Sequence, residues 1–122
     1  MTYRLSGITV DCADPDRLAD FWGALLGREQ SIPLPNWRRL GGLGESQPVL
    51  NFQPVPEPKR GKARIHLDVV VDDVDAAVAT VTRLGGRPTG ERHDYADGVV
   101  VIATDPEGNE FCLVQYFGAA NR

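Results

Sequence analysis

The sequence matches itself at a spacing of 59 residues, and this repeat limits the possible folds more than any other feature. At that offset Val10 falls on Val69, Asp14 on Asp73, Asp16 on Asp75, Leu25 on Leu84 and Gly27 on Gly86. Further along, Arg28 falls on Arg87, Phe52 on Phe111 and Val55 on Val114. The register needs no gap, so both halves are expected to follow one order of elements. Gly7 falls on His66, and that mismatch carries the functional question. A chain of 122 residues suits one domain with a real core and is short for two independent ones. The expected organisation is a single domain over 1–122, with one module at about 4–56, a linker at about 56–62 and a second module at about 63–117.

Within the first half, residues Arg4 to Cys12 alternate as a strand, with Ile8, Val10 and Cys12 on one side and Gly7, Thr9 and Asp11 on the other. Asp14 is a good N-cap, Pro15 fits the first helical turn, and Asp16 complements the helix dipole. Leu18, Phe21, Trp22, Leu25 and Leu26 then recur at helical spacing until Gly27 stops the helix. Each of those side chains contributes roughly 1.5–3 kcal/mol on burial, which marks Phe21 and Trp22 as core. From Glu29 to Leu43, prolines and the Gly41-Gly42 pair leave room only for short or edge strands, and Val49 to Val55 resumes a strand. The proline-spaced stretch around Pro54, Pro56 and Pro58, followed by Lys59, Arg60 and Lys62, reads as a solvated linker.

The second half repeats the plan. A buried strand is expected over Ala63 to Val71, followed by a helix capped by Asp73 with Val74, Ala77, Val78, Val81 and Leu84 facing inward. Gly85-Gly86 close it, and short strands are expected near Arg87 to Glu91, Gly98 to Ala103 and Glu110 to Gln115. Asp105-Pro106-Glu107-Gly108-Asn109 is strong turn chemistry and should join the last two strands as a hairpin. Each module is thus βαβββ, and the fold class is α+β, with two tandem modules forming a curved mixed sheet around a concave pocket.

A formal net charge of -4 gives no electrostatic reason to expect nucleic acid or an anionic membrane as partner. There is no apolar run near 18 residues and no export-signal pattern at Met1 to Val10. Cys12 and Cys112 show no zinc-knuckle or redox spacing, so a reduced, cytoplasmic setting is expected.

Two tandem βαβββ halves, the run Asp105 to Phe111 before the last strand and a helix ending Leu25-Leu26-Gly27 together resemble the vicinal oxygen chelate superfamily. More narrowly, the chain resembles a glyoxalase-like domain of the glyoxalase, bleomycin-resistance and dioxygenase group. The resemblance implies a homodimer and a divalent metal held by side chains at positions 7, 53, 66 and 112. His66 matches a ligand and Gln53 offers an oxygen, but Gly7 has no side chain and Cys112 replaces the usual carboxylate. Glutamate suits hard cations, whereas a cysteine suits softer ones and must lose its proton to bind. The metal site is therefore expected to be incomplete.

The expected pocket residues are Thr9, Asp11, Trp37, Gln53, His66, Asp68, Tyr95 and Cys112, with Arg38, His93 and Asp97 near the mouth. His66 should bond a neighbour such as Asp68, and Trp37, a large aromatic outside any periodic stripe, should cover the pocket. A cysteine on a strand is most often a small buried apolar residue. Two functions follow. One is a binding protein of the bleomycin-resistance type that takes a small organic molecule without a complete metal site. The other is a metal-dependent lyase, isomerase or dioxygenase with a reduced ligand set.

Overall fold

The computed structural model describes residues 2–31, 35–42 and 44–118 of the chain. Contacts within it group into two compact units, Met1–Lys59 and Arg60–Arg122.

In the first unit, strand β1 (Gly7–Cys12) leads to helix α1 (Pro15–Leu26), then strands β2 (Arg38–Leu40) and β3 (Val49–Pro54). Asp14 caps α1 by accepting from Arg17 N at 3.2 Å, and Gly27 ends it in the left-handed conformation at φ 64°. Leu18, Phe21 and Trp22 are buried, and Phe21 meets Trp22 edge-on with ring centroids 5.3 Å apart. α1 packs on β2 and β3, where Leu40, Leu50 and Phe52 are buried. The strand order is β1-β3-β2, with β1 parallel and β2 antiparallel to β3. Of the strand expected between Glu29 and Leu34, the described part holds a single bridge, Gln30 to Leu40, and residues 32–34 lie outside the described ones. Arg28 secures the next turn by donating to Pro48 O at 2.8 Å and to Glu45 Oε1 at 3.1 Å.

The second unit is a full βαβββ module: β4 (Asp68–Val70), α2 (Val74–Arg83), β5 (Arg87–Tyr95), β6 (Gly98–Thr104) and β7 (Glu110–Tyr116), in sheet order β4-β7-β6-β5. Asp73 caps α2 by accepting from Asp75 N at 3.0 Å, and Val74 and Val81 are buried. The hairpin at Asp105 forms as the sequence predicts. The Asp105 carboxylate is 3% exposed and accepts from Glu107 N at 2.9 Å and Asn109 N at 3.0 Å.

The first strand of this unit departs from expectation. It spans Asp68–Val70 rather than Ala63 to Val71, and Arg64, Ile65 and His66 are exposed before it. Backbone pairing explains this. Cys112 N donates to Leu67 O at 2.9 Å, and that is the first ladder bond of this segment to β7. Before it, Ala63 N is taken by the Glu110 side chain at 3.1 Å, which replaces strand pairing with a side-chain tether.

Candidate functional site

Three chain segments bring chemistry together in the second unit. His66 and Asp68 are two apart on extended chain and so point the same way. Parallel pairing of β4 with β7 sets Asp68 beside Cys112, and antiparallel pairing sets Cys112 beside Ile102 of β6. The third segment is β5, whose pairing with β6 slips between Pro88 and Arg92 around Gly90 at φ 92°. A bulge of this kind leaves residues without ladder partners. Here Thr89 Oγ1 donates to Ile102 O at 3.1 Å and accepts from Glu91 N at 3.2 Å, which ties the slipped stretch to β6, and Thr89 and Glu91, two apart, lie on one side. Replacing Gly90 by valine should cost about 1–2 kcal/mol in a urea melt, because a β-branched residue resists this φ.

The product is a cavity of about 330 Å³, at the small end of the range of ligand sites. It is lined by Ile102, Phe111 and Thr89 together with the polar groups of Lys62, His66, Glu91, Glu110 and Cys112. The Lys62 ammonium has no ion-pair partner among the described residues.

Asp68 organises the polar corner. Its Oδ1 lies 3.0 Å from His66 Nδ1, as the sequence predicts, and since a carboxylate only accepts, Nδ1 carries the proton. With Nδ1 engaged, Nε2 is the ring nitrogen left for a ligand. The Cys112 sulfur lies 3.7 Å from the same Nδ1. Burial pushes the Cys112 thiol above its ordinary range, and the hydrogen bond and charge of Asp68 add to this, followed by the charge of Glu91; Lys62 opposes them weakly. A raised value means that the unfolded chain loses this proton first. The stabilisation is therefore complete below the ordinary cysteine range and fades as pH rises through the folded value. At pH 8, alkylation of Cys112 by iodoacetamide should lag behind that of free cysteine and accelerate as pH is raised.

In the first unit, Thr9, Asp11, Gln53, Asn51 and Arg39 share the sheet face away from α1. Parallel and antiparallel pairing put Thr9, Asn51 and Arg39 in one row across the three strands. Arg39 Nε donates to Asn51 Oδ1 at 2.8 Å, and Asn51 Nδ2 donates to Thr9 Oγ1 at 3.3 Å. One step along, Gln53 Nε2 donates to Asp11 Oδ1 at 3.3 Å. Trp37 is half-buried with Arg39 stacked over its ring, 5.3 Å from the centroid. Arg38, expected at the mouth, instead turns to the helix side and pairs with Asp16 at 2.6 Å. The Trp37→Phe variant should stay within about 1 kcal/mol of the native protein in thermal melts, since Trp37 is only half-buried and phenylalanine keeps an aromatic ring.

Tyr95 does not line the cavity. It is 58% exposed on β5 and stacks on His93, whose Nε2 meets Glu91 Oε2 at 2.6 Å. The sequence reading missed Lys62, Thr89, Glu91, Ile102, Glu110 and Phe111 as cavity residues. The one local signal was Gly90 inside a strand-like run, a mark of a bulge.

The donor set can be tested against a resident divalent metal. The first unit does not fit. A Cβ on Gly7 would sit 2.6 Å from Val49 Cγ2, and Gln53, whose Nε2 donates to Asp11, offers only a neutral amide oxygen. In the second unit the ligand atoms of His66, Asp68 and Cys112 all lie within 4.8 Å of one another, a spacing that a soft cation such as zinc can span. A metal there would have to replace both the Nδ1 proton and the thiol proton. The second unit's trio thus fits a thiophilic ion.

Two successive modules of strand, helix and strands define a protein of glyoxalase fold, within the glyoxalase/bleomycin resistance/dioxygenase superfamily. The chain belongs to the glyoxalase-like domain family, whose model matches residues 7–114. Its structure is similar to a glyoxalase/bleomycin resistance protein/dioxygenase family enzyme from Burkholderia phytofirmans PsJN, with TM-score 0.79 and 18% identity over 94% of this chain and 100% of that one. It is also similar to the fosfomycin resistance protein FosX from Listeria monocytogenes, with TM-score 0.74 and 16% identity over 96% of each chain. FosX from Mesorhizobium loti gives TM-score 0.72 and 15% identity over 99% of this chain and 98% of that one. At these identities the likeness concerns the fold. None of the curated proteins matches the sequence. No described helix is long and apolar enough to cross a membrane.

Proposed function

We propose that this chain binds a small organic molecule in the cavity of its second unit and does so without a metal. The observation that supports this reading is the cavity itself, with the apolar side chain of Ile102 beside hydrogen-bonding groups. His66 Nε2 accepts from the ligand while Asp68 fixes the ring, and Lys62 supplies a positive charge near Glu91 and Glu110. The Cys112 thiol stays protonated and contributes shape rather than nucleophilic attack.

The test is an amide NMR titration against a panel of small aromatic and amphipathic compounds. Binding should move the signals of Thr89, Glu91, Ile102 and Cys112 together, and His66→Ala should weaken it about tenfold, the worth of one hydrogen bond to a fixed ring. No shift at those amides with any compound would overturn the reading. The proposal includes a cytoplasmic homodimer, supported by exposed Val70, Tyr116 and Phe117 at 64%, 42% and 46% and tested by sedimentation equilibrium.

The second reading, a metal-dependent lyase, isomerase or dioxygenase, is supported by the tight grouping of His66, Asp68 and Cys112. A metal bound there would supply a Lewis acid for adjacent substrate oxygens. Elemental analysis of the purified protein separates the two: stoichiometric metal that disappears in His66→Ala would establish the second reading against the first.

A further inference from the structure

The arginines of this protein differ in what holds them. Arg28, Arg38 and Arg92 each end on a carboxylate, at Glu45, Asp16 and Asp94 respectively. Arg39 does not. It is half-buried on the open face of the first sheet, and everything that holds it is uncharged: the Asn51 amide oxygen at 2.8 Å and the ring of Trp37 at 5.3 Å. Among the described residues its two Nη nitrogens donate to nothing, so four of its N–H groups and its whole charge remain available.

The supports are themselves fixed. Asn51 is 8% exposed and bonds onward to Thr9, so the acceptor that orients Nε cannot turn away without losing that bond. Trp37 follows Asn36, which takes the left-handed conformation at φ 71°, and its carbonyl accepts from Arg38 Nη1 at 2.9 Å. A guanidinium clamped along one edge and one face presents its other edge in a set plane, the geometry that pairs two-pronged with an oxyanion. Holding it with neutral groups leaves its charge uncompensated and its side-chain entropy already spent.

We propose that Arg39, held by Asn51 and Trp37, is a binding site for the oxyanion of a small aromatic molecule, a carboxylate or phosphonate whose ring lies along the exposed side of Trp37. Thr9 and Asn51 line the approach, and Asp11, tied to Gln53 one step along the sheet, is a carboxylate on that face. Its charge opposes a second anionic group, so the ligand carries one. The proposal is argued from residues of the first unit alone and does not rest on the cavity reading.

The experiment titrates the full chain with phenylphosphonate, benzoate and benzyl alcohol, read by calorimetry and by tryptophan emission. The two anions should bind saturably and change the emission, and the alcohol should bind at least tenfold more weakly. Arg39→Gln should weaken both anions about ten- to hundredfold, in keeping with hydrogen bonds to a charged group. Arg39→Lys guards against misfolding: it keeps the charge and, with an unchanged melt, should still lose about tenfold because an ammonium lacks the fork. Trp37→Phe should abolish the emission change while calorimetry still detects binding. Arg87→Gln, which removes a positive charge from β5, should bind as the native protein does. Equal affinity for anions and alcohol, or native affinity in both Arg39 variants, overturns the proposal. So does loss of anion binding in Lys62→Gln with Arg39→Gln unaffected, which would put the oxyanion in the second unit's cavity.

Discussion

Asp105→Ala is expected to destabilise the protein by about 3 kcal/mol and to lower its thermal midpoint by roughly 10 °C. The carboxylate is 3% exposed, and its Oδ1 collects Glu107 N at 2.9 Å, Asn109 N at 3.0 Å and Asn109 Nδ2 at 3.2 Å, while Oδ2 takes Asn109 Nδ2 at 2.9 Å. Alanine leaves two backbone N–H groups and one amide without these acceptors, and each part-buried donor stranded in this way costs about 1–3 kcal/mol. The turn also sets the register of β6 against β7, since Asp105 N donates to Asn109 O at 3.0 Å and closes the loop at its base. β7 carries Phe111 and Cys112 into the cavity. Asp105→Asn retains one acceptor oxygen and should cost about 1 kcal/mol. Urea melts distinguish the outcomes, and an alanine variant within 0.5 kcal/mol of native would show that the carboxylate does not hold the turn.

That turn was readable from sequence because its chemistry is local: Asp, Gly and Asn act over five residues. The same holds for α1, where Asp14 and Pro15 mark the start and Gly27 the stop, and for the His66–Asp68 contact, which follows from a spacing of two on extended chain. What the sequence could not give depends on which strands become neighbours. Alternation put Thr9 and Asp11 on one face, but only the order β1-β3-β2 places Asn51 between Thr9 and Arg39. The sequence reading sets Arg38 near the mouth, whereas Arg39 is the arginine that stacks on Trp37 and Arg38 turns to the helix side; a short strand whose start is not marked gives no means of deciding which of two adjacent arginines faces the helix. In the second unit the register Asp68 to Cys112 and the slip at Gly90 create the cavity, and neither is a property of any single segment. Lys62 looked like a solvated linker charge because its distance from Cys112 is set by the return of β7.

Gly7→His, the change that would fill the position where the repeat sets glycine against histidine, is expected to cost about 2–3 kcal/mol and to recruit no metal. Gly7 has an ordinary backbone conformation, so flexibility is not what the glycine supplies. The obstacle is space. A Cβ there would lie 2.6 Å from Val49 Cγ2 and 3.1 Å from Val49 O, and Val49 is itself buried at 2% exposure. The pairing of Gly7 with Val49 across β1 and β3 fixes that approach, so relief requires the valine to shrink or the strands to part. Part of the cost is returned, because glycine in a strand interior is unfavourable by roughly 0.5–1 kcal/mol relative to alanine. A double-mutant cycle of Gly7→Ala with Val49→Ala isolates the steric contribution. Each single change should destabilise, and the pair should be at least 1 kcal/mol more stable than their sum, because removing Cγ2 vacates the space that the new Cβ needs. Strict additivity would mean that the valine does not exclude a side chain at position 7. If Gly7→His instead folds with native stability and binds zinc stoichiometrically, the packing against Val49 does not exclude a metal ligand at position 7.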